Sequence, residues 1–333
     1  MNTNLKNFIV FWGLLAIAAV PSPAEPSGVQ MQGGGRDSLL VMFWNVENFF
    51  DWKDGGESPS DAEFSAGGAR RWTAGRFFRK ARTIGKAVLY IASEQGMLPD
   101  VIGFAEVENR GVMVNLLKAG PLETLDYGIV HYDSPDPRGI DCALLYRRGR
   151  LELLGGEAVS VLTESGDTLP TRSILLACFR VRETGDSVAV SVNHHPSKYG
   201  GAASEPRREA AVRSLLGVAR RMEGWRQVAI GDFNDTPDSG LYLPLEEVYL
   251  NLAAPLARKG VGSLRFDGRW ELIDQAFVSR EMAEGAWMEV VRLPFLMVRD
   301  GVHAGEKPLR TYSGPKYLGG VSDHCPVLVH VVL

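Results

Sequence analysis

The stretch QVAIGDFNDTP, Gln227 to Pro237, sets an apolar strand against a polar end. Val228, Ala229 and Ile230 read as a buried strand, and the chain then delivers Asp232, Asn234 and Asp235 at its terminus. Asn, Asp and Pro are turn formers, so a tight turn is the plainer account of this segment alone. A site that needs oxygen atoms at a fixed place is the other account. Working outward, the same oddity recurs. FWNVEN ends a strand in Asn45 and Glu47, GFAEVEN in Glu106 and Glu108, and SVNHHPS in Asn193, His194 and His195. LID places Asp274 within a strand-like run, and GGVSDHCPV sets Asp323 and His324 just before the last strand. Strand termini at one edge of a sheet are where sites are built, and turns alone do not explain so many polar endings.

The chemistry that suits these side chains is narrow. Carboxylates and amide oxygens without a cysteine set favour a hard cation, Mg²⁺ first, with Mn²⁺ or Ca²⁺ also fitting. Several carboxylates in one cleft repel each other and call for that cation. Such a site polarises a phosphoryl oxygen and stabilises charge on the attacking and leaving oxygens. His194 and His324 are then placed to transfer protons or to donate hydrogen bonds to phosphate.

In their order along the chain, FWNVEN, GFAEVEN, NHHPSK, GDFND, LIDQAFVS and GGVSDHCPV resemble the endonuclease/exonuclease/phosphatase superfamily. That group includes metal-dependent deoxyribonucleases, abasic-site endonucleases, inositol polyphosphate phosphatases and bacterial sphingomyelinases. The resemblance runs from Leu39 to the C-terminus. It implies an α/β fold, a four-layer α/β/β/α sandwich of two mostly antiparallel sheets packed face to face. It also implies roles. Asn45 and Glu106 resemble the main metal ligands; Glu47 falls where some members carry a second acidic ligand, and Asp323 assists there. Asp232 and Asn234 resemble the pair that positions the attacking water and the phosphate. Asp274 resembles the acid that orients a histidine, here His324, and His194 the histidine that contacts the scissile phosphate. The general base stays open between Asp232 and His324. The implied substrate is a phosphate ester: a nucleic acid, or a phospholipid or sugar phosphate.

The 333-residue chain is 45% hydrophobic and 23% charged, an ordinary globular composition. Its formal net charge of -4 gives no general pull toward nucleic acid or anionic membrane. Residues 1–24 read as a signal peptide: Lys6, an apolar run from Phe8 to Val20, then small residues up to Ala24. That run is short for a bilayer span, so no stable membrane span is expected after cleavage, and a periplasmic or secreted location is. Residues 25–37 read as a flexible lead-in and 38–333 as the catalytic domain. The three cysteines, Cys142, Cys178 and Cys325, fit no zinc spacing and read as small buried hydrophobes.

Several further residues carry expectations. Phe77, Phe78, Ala81, Ile84, Val88 and Ile91 recur at helical spacing, with Arg79, Arg82 and Lys86 on a solvated outer face. Ser204 reads as the N-cap of a later helix, and Glu108 as capping the helix that follows it. Lys198 and Arg207 beside NHHPS, and Arg310 and Tyr312 in the loop before SDH, are the candidate substrate contacts. His195 should face away from His194 if the strand continues, and Asp235 is a turn residue. His131 and His330 read as core or surface histidines. GAWMEVVRLPFLMV is the one candidate for an apolar, membrane-touching loop.

Overall fold

The computed structural model describes residues 37–56, 58–198 and 201–333. The signal peptide and all but the last residue of the lead-in lie outside them. β1 (Ser38–Phe49) shows how the sandwich is built. Its apolar run does not alternate with polar residues, because both faces are covered. Leu40, Met42, Trp44 and Val46 pack toward helices, while Leu39, Val41 and Phe43 pack into a second core.

The first sheet has six strands. Its members in sequence are β1, β2 (Val101–Val107), β3 (Tyr127–His131), β4 (Asp141–Arg147), Trp287–Val290 and the final strand Val327–Val332. The spatial order is Trp287–Val290, final strand, β1, β2, β4, β3. The second sheet runs β5 (Leu151–Val159), β6 (Ile174–Val181), β7 (Ser187–His194), β8 (Arg226–Asp232), then Asp274–Ser279 and β9 (Tyr249–Asn251). Each sheet has one parallel pair, β1 with β2 and β7 with β8; the other pairs are antiparallel. A parallel pair needs a crossover, and helices supply both.

After α1 (Pro59–Glu63), α2 (Ala74–Gln95) links β1 to β2, and α4 (Glu205–Arg221) links β7 to β8. Thr73 caps α2 by accepting from the Arg76 amide, and Gly96 ends it at φ 68°, a left-handed angle that glycine adopts without strain. α3 (Arg110–Lys118) packs beside α2. The layers are therefore α2 and α3, sheet one, sheet two, α4. This is the expected four-layer sandwich, and the face-to-face core lies between the sheets.

Some local expectations change. Asn109, not Glu108, caps α3 by accepting from the Val112 amide at 3.0 Å. Glu108 instead accepts from the Asp51 amide. Ser204 stands at the N-cap of α4 but makes no side-chain cap bond; it accepts from Arg208 and donates to Gly201 O. GAWMEVVRLPFLMV forms no apolar loop: Leu293 and Leu296 join the core, Phe295 packs against it, and Trp287 stacks on His330 at 3.7 Å. Among the described residues no helix is long and apolar enough to cross a membrane.

Candidate active site at the shared edge of the sheets

The site follows from strand parity. Side chains two apart share a face. In β7, Val188, Val190 and Val192 enter the core between the sheets, so His194 ends that row; in β8, Val228 and Ile230 do, so Asp232 ends theirs. In Asp274–Ser279, Ala276 and Val278 enter it, and Asp274 begins the row. In β1, Leu39, Val41 and Phe43 bring Asn45 to the same face. Hence Asn45 meets Asp232 across the gap, its Nδ2 donating to Asp232 Oδ2 at 3.0 Å. His195 has the opposite parity, as expected. It lies among the helix-side aromatics, with its ring 4.6 Å from that of Phe233.

Two bulges aim the acids. The β1–β2 register shifts between Asn45 and Phe49, and the β2–β4 register between Ala105 and Val107. Glu47, Asn48, Glu106 and Asn234 all hold positive φ, between 47° and 62°, which side chains other than glycine's rarely adopt. Such strain persists where the surroundings over-determine it. Here Asn45 Oδ1 accepts from the Glu47 amide, Glu106 Oε2 from the Asn48 amide, and Asp232 Oδ1 from the Asn234 amide, at 2.8–3.0 Å.

Asp232 is the hub. His194 Nε2 lies 3.7 Å and His324 Nε2 3.8 Å from its Oδ2. His324 Nδ1 is 2.7 Å from Asp274 Oδ2, which also accepts from Ser263 Oγ. Burial opposes charge on His324, but Asp274, Asp232 and Asp323 outweigh it and hold the imidazole well above its ordinary value. Burial likewise raises the Asp232 carboxyl, to about 7, against the lowering pull of His324. His194 goes the other way: burial, then the charges of Arg172 and Arg138, push it well below its ordinary value and keep it neutral.

At the other end, Glu106 Oε1 stands 4.0 Å from His194 Nε2, beyond hydrogen-bond range. Asn45 Oδ1 keeps a second lone pair. These oxygens, with no sulfur among them, suit a hard divalent ion. Glu47 does not stand free beside them. Its Oε1 is held by Arg310 and its Oε2 by the Thr311 amide, and Arg310 also reaches Asp323. Asp232, Asp274 and His324 offer ligand atoms within 4.8 Å of one another as well. There, though, the imidazole nitrogen already faces Asp274, an arrangement suited to a proton rather than a metal. His131 lies between Asp141 and Asp133, one ring nitrogen toward each, and these three also offer ligand atoms within 4.8 Å of one another.

The outer candidates fare differently. Lys198 pairs with Asp235 at 2.7 Å, and Asp235 also accepts from the Thr236 amide, as a turn residue does. Arg207 is exposed and donates to Pro170 O. Tyr312 is buried against Phe64, Trp72 and Tyr317, its hydroxyl donating to Arg70 O, so packing holds its ring in place. Of these four, only Arg310 touches the acids of the cleft. Cys325 is buried and its thiol is pushed up to about 12, which suits the expected inert role.

Sequence reasoning missed three cations around the site, the buried Arg172 and Lys80 and the exposed Arg138. Arg172 donates to Asp136 Oδ2 at 3.0 Å and to His195 O at 2.6 Å. That carbonyl also accepts from Asn234 Nδ2, and the His195 amide donates to Asp232 O. Arg138 lies 3.5 Å from Glu106, and Lys80, on the inner face of α2, donates to Glu47 O and Thr311 Oγ1. A lysine at helical spacing within an apolar face was the one available signal, for Lys80.

Comparison with known proteins agrees with this geometry. The model of the Endonuclease/Exonuclease/phosphatase family matches residues 40–332. No curated protein matches the sequence. Among solved structures, a mannosyl-6-phosphatase of Bacteroides thetaiotaomicron aligns with TM-score 0.57 at 17% identity, covering 89% of this chain and 100% of that one. The human Nocturnin catalytic domain with bound sulfate aligns with TM-score 0.55 at 16% identity, covering 90% and 95%. D. rerio TDP2 complexed with single-strand DNA product aligns with TM-score 0.54 at 14% identity, covering 89% and 99%. At these identities the likeness is one of fold.

Proposed function

The chain belongs to the Endonuclease/Exonuclease/phosphatase family, and from that premise we propose that it is an exported, Mg²⁺-dependent phosphodiesterase using in-line attack by water. Members of the family hydrolyse phosphate esters with a divalent metal, and the chain is an enzyme of that kind. The observation that carries the finer reading is the pairing across the gap. An Asp232–His324–Asp274 chain from one side meets Asn45 and Glu106 from the other. Export rests on the character of residues 1–24.

Asn45 and Glu106 would hold the ion, which polarises a phosphoryl oxygen when bound. Asp232 takes the proton of the attacking water. Its carboxyl, raised to about 7, sits near working pH, where a general base is most effective. His324, kept charged and oriented by Asp274, donates to a phosphoryl oxygen as negative charge develops there. Neutral His194 donates a second hydrogen bond to the phosphate. Asn234, fixed through His195 O, positions water and phosphate together.

A compact sugar phosphate is the second reading. A cavity of about 140 Å³ opens beside Glu47, lined by Asn48, Arg70, Arg310 and Tyr312. It suits one ring or one phosphate better than a polymer. The exposed Arg79, Arg82 and Lys86 lie on the outer face of α2, opposite its buried residues. Plasmid DNA, RNA, sphingomyelin and a hexose monophosphate, each assayed with Mg²⁺ and with chelator, separate the two. Asp232→Ala and His324→Ala should each abolish metal-dependent turnover of whichever is cleaved. Undiminished turnover in either folded variant would refute the mechanism.

A further inference from the structure

We infer that the Arg310 guanidinium occupies the position of a second cation, so that the cleft takes one divalent ion per chain. This rests on the reading of Asn45 and Glu106 as the metal-binding end. Glu47 and Asp323 are the two further acids there, and together they are what a second ion would need. Arg310 bridges them: Nε and Nη2 both reach Glu47 Oε1 at 2.8 Å, and Nη2 lies 3.1 Å from Asp323 Oδ2. The remaining Glu47 oxygen accepts from the Thr311 amide at 2.9 Å. Glu47 is buried, and both of its carboxylate oxygens are taken by these partners.

Arg310 is not a loose surface cation that happens to fall there. The Gly320 amide donates to Arg310 O, and on either side of it the Leu309 amide donates to Leu296 O and the Val321 amide to Leu309 O. A Cβ on Gly320 would sit 1.9 Å from Leu309 O, so the two chain segments pass in direct contact and glycine is required. Thr311 Oγ1 accepts from Lys80 Nζ at 2.9 Å, and the same amine donates to Glu47 O at 2.5 Å. One buried lysine thus pins both the acid and the loop that brings the arginine to it.

The charges agree with the geometry. Three carboxylates gather at this end, Glu47, Glu106 and Asp323, and they face the three cations Lys80, Arg310 and Arg138. A guanidinium is planar, permanently charged and able to bind two carboxylates at once, which suits it to stand where a metal otherwise would. With those cations built in, the cleft needs one added ion to receive an anionic ester, not two.

The test is metal stoichiometry on the purified protein, by calorimetric titration with Mn²⁺ and by electron paramagnetic resonance. Wild type should bind one Mn²⁺ per chain in the cleft, and Glu106→Gln should lose it. Arg310→Met frees Glu47 and Asp323 and should bind two, with a spin-coupled signal from neighbouring ions. Two ions in the wild-type cleft would overturn the inference without recourse to any variant. So would a single ion in Arg310→Met protein that still holds the first. No bound Mn²⁺ in wild type would overturn the reading of Asn45 and Glu106 itself, and this inference with it.

Discussion

Arg172 and Asp136 make a pair whose structural and catalytic effects separate cleanly. Both are buried, and their 3.0 Å contact leaves Arg172 Nη2 free to donate to His195 O. Arg172→Met strands the Asp136 carboxylate. Breaking a buried ion pair from one side costs about 3–5 kcal/mol, a drop in Tm of roughly 10 °C for a domain of this size. Replacing both partners, as Arg172→Met with Asp136→Leu, removes the stranded charge and should restore stability to within about 1 kcal/mol. Activity should not return with it. His195 O is where Asn234 is anchored, and the His195 amide binds Asp232 O, so losing the Arg172 donor loosens both residues. It also removes a charge that keeps His194 neutral. A misplacement on the scale of 1 Å costs about 10²-fold in rate, so kcat should stay down by that factor in both variants. Urea unfolding and steady-state kinetics on the wild type, the single and the double variant decide it. Recovery of kcat together with stability would refute the reasoning and make Arg172 a fold element only.

Two further predictions address the carboxylate hub and the core between the sheets. In metal-free protein, the Asp232 carboxyl followed by NMR should titrate near 7, because burial favours its neutral form. Ionised Asp232 is the competent base, so competence grows as pH rises through that value. The His324 charge lowers it, so His324→Gln should move the midpoint upward, and an unmoved midpoint would break the proposed coupling. In β2, a Cβ on Gly103 would lie 2.9 Å from Ile230 Cδ1 and 3.0 Å from Val192 Cγ2 of the facing sheet. Gly103→Ala should therefore cost about 1–3 kcal/mol by overpacking. Ile230→Val deletes the atom it meets and should offset part of the loss; a cost unchanged in the double variant would place the strain elsewhere.

The sequence was readable where side-chain chemistry stood out of place. An apolar run such as LLVMFW leaves no polar face, so the strand must be covered on both sides, and parity then fixes which terminal residues share the gap. Asn45, His194, Asp232 and Asp274 fall out of that argument. Arg172, Asp136 and Arg138 do not, because each sits in a loop segment that looks like turn chemistry, and its partner is chosen only by the closed fold. Asp136 and Arg172 are 36 residues apart with nothing between them to announce the pair. Nearness in sequence to a motif is a weaker guide, as Lys198, Arg207 and Tyr312 show. Lys198 pairs with Asp235, the exposed Arg207 donates to Pro170 O, and Tyr312 is packed among aromatics while lining the cavity beside Glu47.

Backbone strain is the signal that no residue pattern reveals. Glu47, Glu106 and Asn234 hold left-handed angles without being glycine, at a cost of about 1–3 kcal/mol each. A propensity argument would place glycine at Glu47 and Glu106, and glycine or Asn at Asn234, and so discard the two acids that the site uses. The three amides donating to Asn45, Glu106 and Asp232 link the strained residues to one another and to the strand ends. Each strained residue or its neighbour thereby fixes a carboxylate or amide oxygen of the same cleft. Relaxing any one of them would turn an oxygen away from the gap, which is why the strain concentrates at this edge of the sheets.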